Sequence, residues 1–224
     1  MPSVAADSLS FGGGTPTRLP VADLDQVVSF VRGNGLLAER AEISAEANPE
    51  DLNTENVAAL AEAGFNRLSI GVQSFDDAVL RWLGRAHRGQ ETTRLLDAAT
   101  RAGFASIGVD LIIGVPDEHK NRLADDLDTA VQTGVDHLSL YMLTVEAGTP
   151  LDKLVQKSHR KMPDDDVQAD AYAWAQQWLH AHGYRQYEIS NFAKPGKESR
   201  HNRLYWAQGQ YLGGGHFAHS MALG

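Results

Sequence analysis

Short apolar or β-branched runs alternate along this chain with longer stretches whose apolar residues recur at helical spacing. That alternation confines the fold to βαβ units around a parallel sheet. Leu9–Phe11, Glu42–Glu46, Arg67–Gly71, Ile107–Ile113 and Asp136–Tyr141 read as strands. Val21–Val31, Thr54–Ala63, Asp76–Leu83, Glu91–Ala102 and Leu123–Thr133 read as helices. Asn53 or Thr54 and Asp76 are suited to cap helix starts, and Gly64, Gly103 and Gly134 to stop helices. The phrases LAEAGFNRLSIGVQSF and ATRAGFASIGVDLIIGVP share the order helix, Ala-Gly-Phe, strand, Gly-Val, polar residue. Such a repeat fits successive units of a β/α barrel, which carries its ligand groups at the carboxyl ends of the strands.

After Tyr141 the rhythm changes. TVEAGTPLDKLVQKSHRKMPDDD reads as an exposed connection with a short helix, followed by a long helix from about Val167 to Ala181. YRQYEISNFAKPGKESRHNRLYW then reads as a strand and an ordered loop. The expected division is residues 1–145 as a partial barrel and 146–224 as a helical connection with a small α+β extension.

With 224 residues, 42% hydrophobic and 22% charged, the chain has the composition of an ordinary globule. A net charge of -9 and the lack of a long basic patch argue against nucleic acid as a partner. No apolar run reaches membrane-spanning length and Met1–Ser10 lacks the pattern of a signal peptide, so a cytoplasmic location is expected. The chain has no cysteine, which removes disulfides, thiol nucleophiles and thiolate-held zinc or iron–sulfur clusters from its own chemistry.

Several polar residues emerge from apolar surroundings. Three glycines in Phe11-Gly12-Gly13-Gly14-Thr15-Pro16 either let backbone groups approach a ligand or form a purely structural turn; the Lys-Ser/Thr of a P-loop is missing. Glu46 ends the next run in SAEANP, Gln73 follows in GVQSF, and Asp110 lies in GVDLIIGVP. Singly, each reads as a cap or a supporting hydrogen bond; repeated on successive strands, they point to one shared mouth. Arg85 in LGRAHRG either returns to that mouth to grip a carboxylate or belongs to a solvated basic turn, the reading preferred for Arg81, His87 and Arg88. His201, at the head of HNRLYW, reads by itself as a loop histidine bonded to backbone. His216 and His219 stay unassigned, and Trp174 and Trp178, four apart on the long helix, read as core or interface.

The ordered series GGGTPT, EANP, NRLSIGVQSF with LGRAHR, and GVDLIIGVP resembles the oxygen-independent coproporphyrinogen III oxidase group of radical S-adenosylmethionine (SAM) proteins, the HemW/HemN-type family. QYEISNFAKPGKESRHNRLYW with YLGGGHFAHS is similar to the haem-chaperone branch, HemW, more than to the decarboxylating branch, HemN. The resemblance implies an α/β fold of the radical-SAM-type (β/α) barrel and two ligands, SAM and haem. It places Gly13, Gly14, Thr15, Glu46, Gln73, Arg85 and Asp110 at SAM-contacting positions and gives His201 to haem. Haem trafficking or porphyrin metabolism is the function it implies. The rivals are a coproporphyrinogen oxidase-like enzyme and a non-catalytic SAM- or haem-binding subunit.

The family holds a 4Fe-4S cluster on CxxxCxxC after its first barrel strand, and this chain has no cysteine. Only Met1–Ser10 precede the glycine turn, so the resemblance leads us to expect an incomplete barrel without first strand or cluster loop, inactive alone in radical chemistry. It also leads us to expect a chain that stops at Gly224 short of a carboxyl-terminal domain. A truncated gene model accounts for this more economically than a cluster-free relative or one part of a larger assembly. About five parallel strands are expected, with an exposed edge open to pairing with a second copy.

Overall fold

The computed structural model describes residues 5–116, 122–158, 162–216 and 218–222. Strands β1 (Ala6–Phe11), β2 (Leu37–Ala47), β3 (Arg67–Gln73), β4 (Ser106–Ile113) and β5 (His137–Met142) pair in parallel, each with the next. Two short strands, β6 (Arg185–Gln186) and β7 (Asn191–Ala193), extend the same sheet antiparallel beyond β5, giving the order β1-β2-β3-β4-β5-β7-β6. The result is the expected α/β architecture, a curled seven-stranded half-barrel.

Helices α1 (Val21–Gly33), α2 (Thr54–Glu62), α3 (Asp77–Trp82), α4 (Gly89–Ala102) and α5 (Arg122–Gln132) connect the parallel strands. They are followed by α6 (Pro150–Ser158), α7 (Asp165–Ala181) and α8 (Arg200–Trp206). The ends follow the local chemistry. Asn53 caps α2 by accepting from Asn56 N, and Asp76 caps α3 by accepting from Ala78 N and Val79 N. Gly103 closes α4 at φ 83°, a conformation a side chain would disfavour. Helix α4 starts at Gly89, earlier than the periodicity places it, because Glu91 reaches back to accept from Arg88 N at 3.0 Å.

A strict alternation of two explains where the core sits. One face of the sheet carries Ile43, Ala45 and Ala47 of β2, Leu68, Ile70 and Val72 of β3, Ile107, Val109 and Leu111 of β4, and Leu138 and Leu140 of β5, all buried. Against them pack Leu24 and Val28 of α1, Val57 and Leu60 of α2, Leu95 and Leu96 of α4, Leu127 of α5 and Leu179 of α7. Each such side chain contributes about 1.5–3 kcal/mol on burial. The opposite face is polar. Ser10, Ser44, Glu46, Ser69, Asp110, Ser139 and Asn191 lie on it in neighbouring register positions. One layer of helices thus builds the core, and the inner face is left for chemistry.

One element departs from expectation. Residues 200–206, read as part of an ordered loop, form helix α8, because Ser199 caps it by accepting from Asn202 N at 3.3 Å. The bonded loop histidine expected at position 201 is therefore a first-turn helix residue. Of the connection after Tyr141, residues 159–161 lie outside the described residues.

Candidate functional site

At the carboxyl ends of β1–β5 the inner face opens into a mouth lined by most of the expected residues. Gly12 lies so close to Glu46 that a Cβ on it would stand 2.9 Å from the carboxylate, whereas Gly13 and Gly14 have open space beside them. Gly13 has φ 83°, the left-handed conformation that favours glycine. Thr15 Oγ1 accepts from Asn48 Nδ2 at 2.9 Å, which ties the glycine turn to the Glu46-Ala47-Asn48-Pro49 segment. Asn48 in turn lies against Gly71, as does the amide of Gln73. Gln73 is buried at φ 66°, beside an irregularity in the β3–β4 register, an arrangement that costs about 1–2 kcal/mol and aims its side chain off the ladder.

Asp110 stands across from Ser139 in the β4–β5 register and accepts from Ser69 Oγ at 3.3 Å. Burial pushes its carboxyl up to about 6; Ser139 and Ser69 oppose the rise and the charge of Glu46 adds to it. Glu46, exposed at the mouth yet crowded by chain, is also raised by burial, against the pull of the Gly13 backbone N–H. Tyr141, one step further along β5, is raised to about 12 by burial and by Asp110.

Arg85 is brought to the same end by the turn between α3 and α4, but its Nη1 lies 4.0 Å from Glu50 Oε1 on the turn after β2. His87 is not a solvated turn residue as its sequence neighbourhood suggests. It is buried, with Nδ1 2.8 Å from Glu50 Oε2 and Nε2 3.0 Å from Val72 O, and so fastens this turn to the ends of β2 and β3. Asp126 of α5 anchors the other side, accepting from Ser74 Oγ at 2.7 Å and Phe75 N at 2.6 Å.

His201 lies at the other end of the sheet. Its backbone N–H donates to Glu42 Oε1 at 3.4 Å, and Arg200 N does so at 2.9 Å. Glu42 precedes Glu46 by four residues on β2, which separates the two ends by about 13 Å. At this base Arg67 Nε donates to Glu42 Oε2 at 2.8 Å in a buried ion pair, and Arg67 Nη2 donates to Lys197 O at 2.6 Å. His137 Nε2 lies 2.7 Å from Tyr187 OH and is pushed down to about 3 by burial and by Arg67, so it stays neutral.

The aromatics near HNRLYW divide into an inner and an outer set. Phe192 is buried in the core, whereas Tyr187 is half-buried, with its hydroxyl 2.7 Å from His137 Nε2 and accepting from Asn202 Nδ2 at 3.4 Å beside His201. Tyr205 and Trp206, exposed at 54% and 57%, and Tyr211, 5.5 Å from the Tyr205 ring, form the outer aromatic patch. His201 and Tyr205 are one helical turn apart on α8. On α7, Trp178 packs against the core and stacks on His182, whereas Trp174 is exposed. Among the described residues no group of three or more His, Asp or Glu is placed to hold a metal ion, and no helix is long and apolar enough to cross a membrane.

Residue-by-residue reading missed Ser69, Ser139, Tyr141 and Asn191 at the mouth and Glu42, Arg67 and His137 at the base. Their signal was present: the parallel strands carry polar residues in one phase, as in E-I-S-A-E, R-L-S-I-G-V-Q and H-L-S-L-Y.

The radical SAM superfamily model matches residues 4–130. The heme chaperone HemW of Bacillus subtilis (strain 168) is 39% identical over 215 residues, 95% of this chain and 56% of that protein. The mitochondrial radical S-adenosyl methionine domain-containing protein 1 of Mus musculus is 41% identical over 213 residues, 95% of this chain and 48% of that protein. The structure of HemN, the coproporphyrinogen III oxidase of Escherichia coli and a radical SAM enzyme, superposes with a TM-score of 0.78 at 28% identity, covering 97% of this chain and 52% of that one. The chain spans about half the length of the curated relatives it matches.

Proposed function

Since the chain belongs to the radical SAM superfamily, we propose that it is a HemW-like haem-handling protein that holds SAM at the carboxyl-end mouth and haem on α8. SAM brings a sulfonium, an ammonium, a carboxylate and ribose hydroxyls. The open backbone at Gly13 and Gly14, Thr15, the carboxylates of Glu46 and Asp110, the Gln73 amide and the Arg85 guanidinium are complementary to those groups. Gly12 supports this cradle, since any side chain there would fill the space the Glu46 carboxylate occupies. A 4Fe-4S cluster does not fit these residues, because the chain has no cysteine to ligate it. The activity proposed is therefore ligand holding and transfer, not radical formation. The location proposed is the cytoplasm, and the partner proposed is a second copy paired along β1, the outermost of the described parallel strands.

The observation that carries the haem reading is His201 on a helix fastened to the sheet through Glu42, with Tyr205 and Trp206 exposed around the next turn and the half-buried Tyr211 against Tyr205. An imidazole is a competent axial iron ligand, and exposed aromatic faces can cover a planar macrocycle. In this reading residues 1–145 serve SAM and residues 146–224 serve haem. Titrating haemin into the wild-type chain and into His201→Ala, following the Soret band, tests it, with His216→Ala and His219→Ala as controls. Loss of the shifted band in His201→Ala alone supports the assignment; equal spectra for wild type and His201→Ala remove it.

A further inference from the structure

We propose that the cavity at the base of the sheet, between β2, β3, β4 and the turn before α8, is a binding site for an anionic oxygen group, and that it receives a propionate arm of a haem ligated at His201. The cavity has a volume of about 240 Å³ and is walled by Arg40, Arg67, Ser106, Lys197 and Arg200, with Glu42 and Glu198 beside them. A pocket for a whole drug-sized molecule has about 300–1,000 Å³, so this one admits a small group or one arm of a larger ligand. Four cationic side chains against two carboxylates make a local excess of positive charge in a chain whose net charge is -9.

How these groups are already engaged decides what is left for a ligand. Glu42 is occupied, accepting from Arg67 Nε, Ser199 Oγ, Arg200 N and His201 N. Arg67, buried, donates from Nε to Glu42 and from Nη2 to Lys197 O, and keeps the remaining N–H groups of its fork. Lys197 Nζ donates to Ala105 O at 2.5 Å and lies 3.7 Å from Asp136 Oδ2. Arg200 Nη1 donates to Arg40 O at 2.7 Å, and the exposed Arg40 side chain meets no partner among the described residues. Ser106 supplies an independent observation. It stands opposite Arg67 in the β3–β4 register, is 4% exposed, and its Oγ has no hydrogen-bond partner among the described residues. A buried hydroxyl left so is unfavourable, and an anionic oxygen in the cavity can supply the acceptor it lacks. Helix α8 carries Arg200 on the cavity wall and His201 next to it, so a ligand with its iron on His201 brings an acidic arm toward Arg40 and Arg200. Only haem as the source of that acidic group rests on the preceding reading.

The test has two arms, run on wild type, Ser106→Ala, Glu198→Gln and the double variant Arg40→Gln, Arg200→Gln. In the first, inorganic phosphate and sodium propionate are titrated into the ligand-free chain while the Arg67 Nε–H signal is followed by nitrogen-15 NMR. We expect a saturable shift, with affinity about tenfold weaker in the double variant, severalfold weaker in Ser106→Ala and stronger in Glu198→Gln. Arg101→Gln, exposed on α4, controls for net charge. In the second arm, haemin and its dimethyl ester, whose propionates are uncharged, are titrated by Soret absorbance. Haemin affinity should fall about tenfold in the double variant with the band position unchanged, while the ester binds wild type and double variant alike. If the double variant does not fold, Arg40→Gln alone serves, since the Arg40 side chain holds no described group in place. No shift of the Arg67 signal, or equal affinities in every variant, overturns the site. Small anions that bind while haemin ignores the variants uphold the anion site and overturn its use by haem. An unchanged haemin spectrum in His201→Ala removes the haem reading and leaves the first arm to decide the site.

Discussion

Replacing Glu42 with Gln removes the charge that holds the base of the sheet together while keeping the size of the side chain. Glu42 and Arg67 are both buried and 2.8 Å apart, and the same carboxylate accepts from Ser199 Oγ, Arg200 N and His201 N. Without the pair, Arg67 keeps a buried charge with only Lys197 O as a measured neutral partner. Breaking a buried pair by removing one member costs about 3–5 kcal/mol, a large fraction of the about 5–15 kcal/mol that stabilises a domain. Urea unfolding of wild type, Glu42→Gln, Arg67→Met and the double variant separates the pair from its surroundings. We expect Glu42→Gln to cost about 3 kcal/mol in the wild-type background and about 1 kcal/mol beside Arg67→Met, a coupling of about 2 kcal/mol. Far-ultraviolet circular dichroism follows the global transition, while Trp206 on α8 is placed to report the release of that helix. Equal costs in the two backgrounds, or a cost below about 0.5 kcal/mol for Glu42→Gln, would refute the role given to this pair.

Two further outcomes follow from the same geometry. Gly12→Ala places a methyl 2.9 Å from the Glu46 carboxylate, so SAM affinity should fall by about tenfold or more with a smaller loss of stability; unchanged affinity by calorimetry would show that Glu46 is not held in the cradle. His137 has its folded pKa depressed from 6.5 to about 3, so its contribution is present above pH 6.5 and is lost as pH falls toward 3. Relative to His137→Gln, wild type should lose about 1.4 kcal/mol per pH unit between pH 6 and pH 4, and parallel stability curves would contradict a buried neutral imidazole.

Much of the fold is legible in the sequence because two periodicities carry it. Runs such as SIGVDLII announce strands whatever their neighbours, and Asn53, Asp76 and Gly103 mark helix ends through local hydrogen bonds and φ. The mouth residues were legible because Glu46, Gln73 and Asp110 each interrupt or end an otherwise apolar run. Helix α8 was not, since seven residues with no buried side chain show no apolar stripe, and its start depends on Ser199 meeting Glu42 across 157 positions. His87 was misread for a similar reason: its partners Glu50 and Val72 are set by tertiary contact, 37 and 15 positions away. The sheet's extension by β6 and β7, of two and three residues, is likewise a product of pairing with β5 and not of local pattern.

The central claim is that two ligands are held at opposite ends of one sheet, SAM by residues around Glu46 and haem by His201. Haemin titration by Soret absorbance, run with and without saturating SAM on wild type, Glu46→Ala and His201→Ala, tests it in one experiment. We predict that Glu46→Ala weakens SAM binding and leaves the haem spectrum and affinity unchanged, that His201→Ala does the reverse, and that the wild-type chain holds both at once. Mutual exclusion of the two ligands, or a single variant that abolishes both in a chain with native circular dichroism, would contradict the two-ended arrangement.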